Sequence, residues 1–138
     1  MPDYDMRDVV GRNQPQSTRF REVVFEVDYA QQNLAVGDRG YIGDLPAGFV
    51  PLGLVPISLN PEGEACTYDM GTGADPDGFA VDLNANTAAN GQMAPGAAAL
   101  LGQRLSANTA VYVALNAAQP LMNAHKAKYS FWGYMLDL

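Results

Sequence analysis

Few residues in this 138-residue chain could anchor a reaction centre. There is one cysteine, Cys66, one histidine, His125, and one tryptophan, Trp132. A lone cysteine excludes a disulfide frame and four-thiolate zinc. A lone imidazole excludes a His-rich metal site and a second histidine acid or base. No run of about 18 apolar residues exists, so no transmembrane helix is available. The opening residues, MPDYDMRDVVGRNQ, lack the basic-then-apolar order of a signal peptide, and Sec export is not expected. Cations are scarce as well: 8 Lys plus Arg stand against 15 Asp plus Glu, for a net charge of −7 and a pI near 4.4. Such a chain is no general nucleic-acid binder, because that affinity comes from neutralising phosphates with Lys and Arg. The same balance argues against binding an anionic membrane surface.

The charges that are present are unevenly placed. From Gly40 to Gln103 there is no Lys or Arg, while Asp44, Glu62, Glu64, Asp69, Asp75, Asp77 and Asp82 all fall in that stretch. Surfaces normally mix both signs. Either part of this surface faces another protein's basic residues, or it is an ordinary acidic surface. Apolar types make up 48% of the chain, enough for a core, but twenty of these residues are alanine. Charged residues, at 17%, fall below the usual quarter or so.

The pattern that remains is one of short strands. Residues 1–18 are polar and turn-prone, with sparse apolar content (Tyr4, Met6, Val9, Val10), and read as an extended arm or a disordered tail. In RFREVVFEVDYA, Phe25, Val27 and Tyr29 alternate with Glu26 and Asp28, the period of a strand. Gln31 to Asp38 reads as a loop, and Gly40 to Leu45 as a short strand. Leu45-Pro46-Ala47-Gly48 is a turn. FVPLGLVPISLN follows, in which Pro51 and Pro56 each delete a ladder donor, so a strand here must lie at an edge or break its pairing. Asn60-Pro61-Glu62-Gly63 is another turn. EACTYDM then sets Cys66, Tyr68 and Met70 on one side and Ala65, Thr67 and Asp69 on the other. GTGADPDG is the densest turn cluster, and Phe79 to Leu83 a short strand. Asn84 to Gly96 reads as loop, and Ala97 to Arg104 as a helical turn or a strand. TAVYVALN (109–116) is a strand with Val111, Val113 and Leu115 on one face. KAKYSFWGYMLDL (126–138) follows it in sequence and reads as its partner, with Gly133 marking a bulge or a close backbone approach. Seven or eight strands at this spacing, with no helical periodicity, predict an all-β fold. A jelly-roll-like β-sandwich of about eight antiparallel strands over 19–138 is expected, as one domain behind the arm.

No catalytic, metal or cofactor-binding residues emerge. His125 sits in NAHKAK with no GxSxG elbow elsewhere, and reads as a solvated loop histidine. Cys66 lies between Glu64 and Asp69, which would raise its pKa, and reads as a small buried apolar residue. Asp69, Asp75 and Asp77 suggest a calcium loop at first, but Gly71 and Gly73 occupy the would-be ligand positions, and a hairpin connection explains the segment more simply. Gly71-Thr72-Gly73 lacks the third glycine and helix of a dinucleotide site. Paired carboxylates for glycoside hydrolysis are available in any acidic sandwich. Tyr112, Tyr129, Phe131, Trp132 and Tyr134 read chiefly as core and sheet-face aromatics, with a sugar-stacking platform as the alternative. The residues thus describe a small acidic β module suited to adhesion or assembly, and not an enzyme.

Three segments, in order, are similar to a known family: Leu45-Pro46-Ala47-Gly48, then YDMGTGADPDGF (68–79), then VDLNA (81–85), with Asp137-Leu138 closing the last strand. They resemble small structural proteins of tailed phages, which carry PAGT, DVGDGTDPDG and VDLNA segments and a terminal Asp-Leu. Size and character are closest to the cement (decoration) proteins of short-tailed phage heads. The likeness covers residues 40–138. It departs at Phe49, where the family has Thr, and at Thr72-Gly73, which lacks an extra Asp. It implies a jelly roll, made in the host bacterial cytoplasm, that binds the outer surface of the capsid and bridges major capsid protein subunits. It also implies a homo-oligomer, with a dimer favoured. Tyr4, Arg7, Val9, Val10 and Arg12 of the arm are the expected capsid contacts, and Trp132 and Tyr134 the expected dimer contacts. A carbohydrate-binding sandwich and a tail or fibre component are the competing readings.

Overall fold

The computed structural model describes residues 18–86, 100–116 and 121–136. Nine strands run through them: β1 (Thr18–Asp28), β2 (Leu34–Ala35), β3 (Arg39–Leu45), β4 (Phe49–Asn60), β5 (Thr67–Gly71), β6 (Ala80–Asn84), β7 (Thr109–Leu115), β8 (Leu121–Met122) and β9 (Lys126–Leu136). All pairings are antiparallel. β1, β9 and β4 form one sheet in that order; β3, β7, β5 and β6 form a second; β2 pairs with β8. The expected all-β sandwich is therefore the fold.

Period-two alternation decides which side chains fill the space between the sheets. In β9, Ala127, Tyr129 and Phe131 are buried, while Lys126, Lys128, Ser130 and Trp132 are not. In β7, Val111, Val113 and Leu115 are buried; in and beside β5, Cys66, Tyr68 and Met70 are. Phe131 is the hub: the Phe79 ring meets it edge-on at 5.1 Å and the Phe25 ring at 5.9 Å. The first of these edge-to-face contacts joins the β5–β6 hairpin to β9 of the other sheet, and the second ties β1 to β9.

Several local expectations hold. β4 is an edge of its sheet, as Pro51 and Pro56 require, and its register slips beside Pro51. The 72–78 segment closes a β5–β6 hairpin: the Thr72 and Gly78 amides donate to the Asp75 carbonyl at 2.9 and 3.1 Å, and the Phe79 amide donates to the Met70 carbonyl. Gly133 marks a close approach, since a Cβ there would collide with the Val50 carbonyl of β4. One pairing is not formed. β7 and β9, separated in the chain only by the two-residue β8, are inner strands of opposite sheets, β7 between β3 and β5, β9 between β1 and β4. Both present a long apolar face, and each fills the core from its own side.

Gly133→Ala should lower stability by about 2–3 kcal/mol, because the obstructing atoms are backbone and cannot rotate away. Urea unfolding of the two proteins checks this; an unchanged midpoint would mean that the strands sit further apart.

Candidate interaction face

The outward side of the β1–β9–β4 sheet is unusual. Direct cross-strand partners share a face, and the register places Phe20 beside Tyr134, Glu22 beside Trp132, Val24 beside Ser130 and Glu26 beside Lys128. On the other flank of β9, Val50 lies beside Tyr134, Val55 beside Ser130 and Ile57 beside Lys128. One end of the face is therefore apolar and aromatic. Phe20 is 68% exposed, Tyr134 42% and Val24 40%. Trp132 is half-buried, its ring 6.3 Å from that of Phe20. The other end is charged, with Lys126 Nζ 3.4 Å from Glu26 Oε1. Contiguous exposed apolar surface of this kind marks sites of interaction.

Trp132 and Tyr134, the residues expected at a dimer contact, are thus brought together on this face. Phe20 and Val24 join them, and no sequence signal singled these two out. Tyr4, Arg7, Val9, Val10 and Arg12 lie outside the described residues. On the opposite sheet, Tyr41 and Tyr112 stand side by side, but their planes meet at 52° and the Arg39 guanidinium lies 4.4 Å over the Tyr112 ring. These two rings do not make a flat stacking platform.

His125 corrects the sequence reading: it is buried, with 1% of its surface exposed. Its ring stacks on Tyr29, 5.8 Å between centroids and 10° between planes. Nδ1 lies 2.8 Å from the Asn60 carbonyl, which can only accept, so Nδ1 carries the proton. Nε2 of the neutral ring is then the acceptor for the Tyr68 hydroxyl at 3.4 Å. Tyr129 donates to Tyr68 at 2.6 Å, which leaves Tyr29 to donate to Tyr129 at 3.1 Å. The terminal carbonyl fixes the sense of the whole chain of donors. Beside it, the Glu62 carboxylate accepts from the amides of Asn123 (3.0 Å), Ala124 (2.9 Å) and His125 (2.8 Å). Glu62, read as part of a turn, is a buried anchor.

The remaining candidates are structural. Burial raises the Cys66 thiol to about 11, with Glu62 adding to the effect, so it stays protonated near neutrality. Asp69 accepts from the Asp82 amide and from Asn116 Nδ2, both at 2.9 Å. A hydrogen bond with Asp77 raises the half-buried Asp75 carboxyl. Among the described residues no group of three or more His, Cys, Asp or Glu side chains is arranged to hold a metal ion. No helix among the described residues is long and apolar enough to cross a membrane.

No protein-family model matches the chain, and no curated protein matches it either. Among solved structures it is similar to a chain of the cyanophage Pam1 capsid asymmetric unit. That likeness spans 93% of this chain and 92% of the other, with a TM-score of 0.65 and 20% sequence identity. At that identity the likeness establishes a shared fold.

Burial lowers the His125 pKa from its ordinary 6.5, outweighing the Asn60 hydrogen bond and the Glu62 charge. The unfolded chain therefore takes up a proton near 6.5, whereas the folded chain does so only at lower pH. This contribution to stability is complete above 6.5 and declines below it, until the folded ring itself protonates. With no second histidine, His125→Gln should flatten the pH dependence of the urea midpoint between about pH 5 and 7. An identical slope in both proteins would place the titrating group elsewhere.

Proposed function

We propose that this chain is a virion structural protein, a cement (decoration) protein that binds the outer surface of a tailed-phage head and bridges major capsid protein subunits. The observation that carries the reading is the aromatic outward face around Trp132 and Tyr134 on a rigid two-sheet body. A body of paired strands keeps its shape under load, and a free apolar face gives it something to hold with. The fold shared with a chain of a cyanophage capsid supports the setting. The strand orders β1-β9-β4 and β3-β7-β5-β6 support a jelly roll. The net charge of −7 suits a partner with a basic outer surface and disfavours DNA. Residues 1–17 lead into β1 at the aromatic end of the face, where Thr18 pairs with Leu136 and Phe20 with Tyr134. Tyr4, Arg7, Val9, Val10 and Arg12 can then reach a neighbouring subunit by strand addition or groove docking.

Binding of the purified chain to phage heads tests this. Trp132→Ala should cost about 1–2 kcal/mol of stability, the effect of a half-buried side chain, yet sharply reduce attachment. Attachment unchanged by that substitution would remove this face from the mechanism. Labelling of tails instead of heads would favour a tail or fibre component, and binding competed by free sugar would favour a carbohydrate-binding module.

Deleting residues 1–17 should leave a folded sandwich with weaker head binding, measured by co-sedimentation. Full binding by the truncated chain would exclude the arm.

A further inference from the structure

Three carboxylates lie on the outward set of β1, and the register with β9 treats them differently. Glu26 lies opposite Lys128 and Asp28 opposite Lys126, and Lys126 Nζ also reaches Glu26 Oε1 at 3.4 Å. Glu22 lies opposite Trp132. Its outward neighbours along β1 are Phe20 and Val24, both exposed. Val50 and Val55 of β4 continue this end of the face and are aliphatic. Arg19 and Arg21 fall on the alternate set of β1, with Val23 and Phe25. Among the described residues no cation lies within ion-pair distance of Glu22. It is the outward carboxylate of β1 that faces an aromatic ring where the others face amines.

We propose that Glu22 and the Trp132 ring together receive an arginine side chain of the partner protein, presented among apolar neighbours. The inference rests on the reading of this face as the part that holds the shell, and it gives that partner its chemistry. Glu22 follows Phe20 by one outward position and stands opposite Trp132, so a partner that covers those two rings covers the carboxylate as well. A carboxylate taken out of water without a counter-charge is heavily penalised. A purely apolar partner surface would lose affinity there, and an acidic one would be repelled. A basic group satisfies Glu22 while its apolar neighbours cover the rings.

The ring selects arginine over lysine. A guanidinium is planar and weakly hydrated. It lies flat on an indole and still donates in its own plane to a carboxylate, whereas an ammonium holds its water more tightly. The other sheet carries the same kind of pairing within the chain, where the Arg39 guanidinium sits 4.4 Å over the Tyr112 ring. Phe20 bounds the site on the side away from the lysines, its ring 6.3 Å from that of Trp132 and tilted by 30°. Charge favours the arrival of such a group. The chain carries a net −7, and β4, the other flank of the face, lies wholly within the stretch from Gly40 to Gln103 that has no Lys or Arg.

Trp132 is the only tryptophan, so its emission reports on the site in the full chain. The probe is acetyl-Leu-Arg-Leu amide, with the citrulline peptide as its uncharged isostere and the lysine peptide as the other cation. The arginine peptide should change Trp132 emission saturably, and the citrulline peptide should bind roughly 3- to 10-fold more weakly. Glu22 is exposed, so Glu22→Gln should fold, and it should remove that preference. Glu64→Gln takes the same charge from an exposed bend before β5 and should leave the preference intact. No response to the arginine peptide overturns the proposal, as does equal binding of the citrulline or the lysine peptide, or a preference that survives Glu22→Gln. If Arg7→Gln combined with Arg12→Gln makes the arginine peptide bind several-fold tighter, the chain's own arm fills the site and the partner assignment falls. Co-sedimentation with phage heads separates this inference from the virion reading. A Glu22→Gln chain that still binds heads in full sinks the arginine site and leaves the virion reading standing. A chain that prefers the arginine peptide but ignores phage heads does the reverse.

Discussion

The sandwich turns on one carboxylate. Glu62 collects three successive backbone amides, from Asn123 to His125, immediately before β9 begins at Lys126. β9 is the inner strand of its sheet, and both β1 and β4 take their register from it. A strand with neighbours on both sides cannot slip by one residue without turning Tyr129 and Phe131 out of the core. Fixing its first residue fixes the sheet. The His125 ring adds a second tie through the Asn60 carbonyl, and the tyrosine hydroxyls behind it are satisfied in a single direction. Amides buried without acceptors would each cost about 1–3 kcal/mol, so the anchor also settles the polar groups where the chain crosses between sheets.

From that anchor the two sides of β9 diverge in purpose. Its inward residues meet aromatic partners from β1 and the β5–β6 hairpin, and the core closes around Phe131. Its outward residues grade from lysine at one end to Trp132 and Tyr134 at the other. Gly133 lies between the two aromatics because β4 passes too close for any side chain. The tight contact that holds the edge strand β4 against β9 thus also sets the spacing of the exposed rings. Position on the face and stability of the sheet are not separable there.

Local patterning made much of this legible. Alternation revealed β1, β7 and β9, proline placed β4 at an edge, and Asp75-Pro76-Asp77-Gly78 marked a hairpin. Each of those signals is written in neighbouring residues. What was hidden depends on partners far away in the chain. His125 looks like a loop histidine in NAHKAK, and its burial comes from Tyr29, Asn60, Glu62 and Tyr68, none within 50 residues of it. Glu62 sits in a turn sequence that gives no hint of the amides it will bind. The run Tyr129 to Tyr134 has aromatics on both alternating sets, so the sequence could not say which set faces the core. The mistaken β7–β9 pairing has the same origin: two good strands in succession suggest a hairpin, and only the packing of the other strands separates them.

Under the proposed reading, size sets how the protein is used. One copy meeting one free capsid subunit has a single sheet face to hold with. A body that touches two or more subunits of a shell that repeats its surface at fixed distances engages several such contacts at once. The second contact then forms at the high effective concentration set by the first. Occupancy therefore follows the order of the lattice more than the affinity of any one contact, and assembled heads are decorated in preference to loose subunits. Stiffness matters here for a physical reason. A flexible linker between two weak sites spreads the second over a large volume, whereas a body of paired strands holds it at one distance, matched or unmatched to the shell.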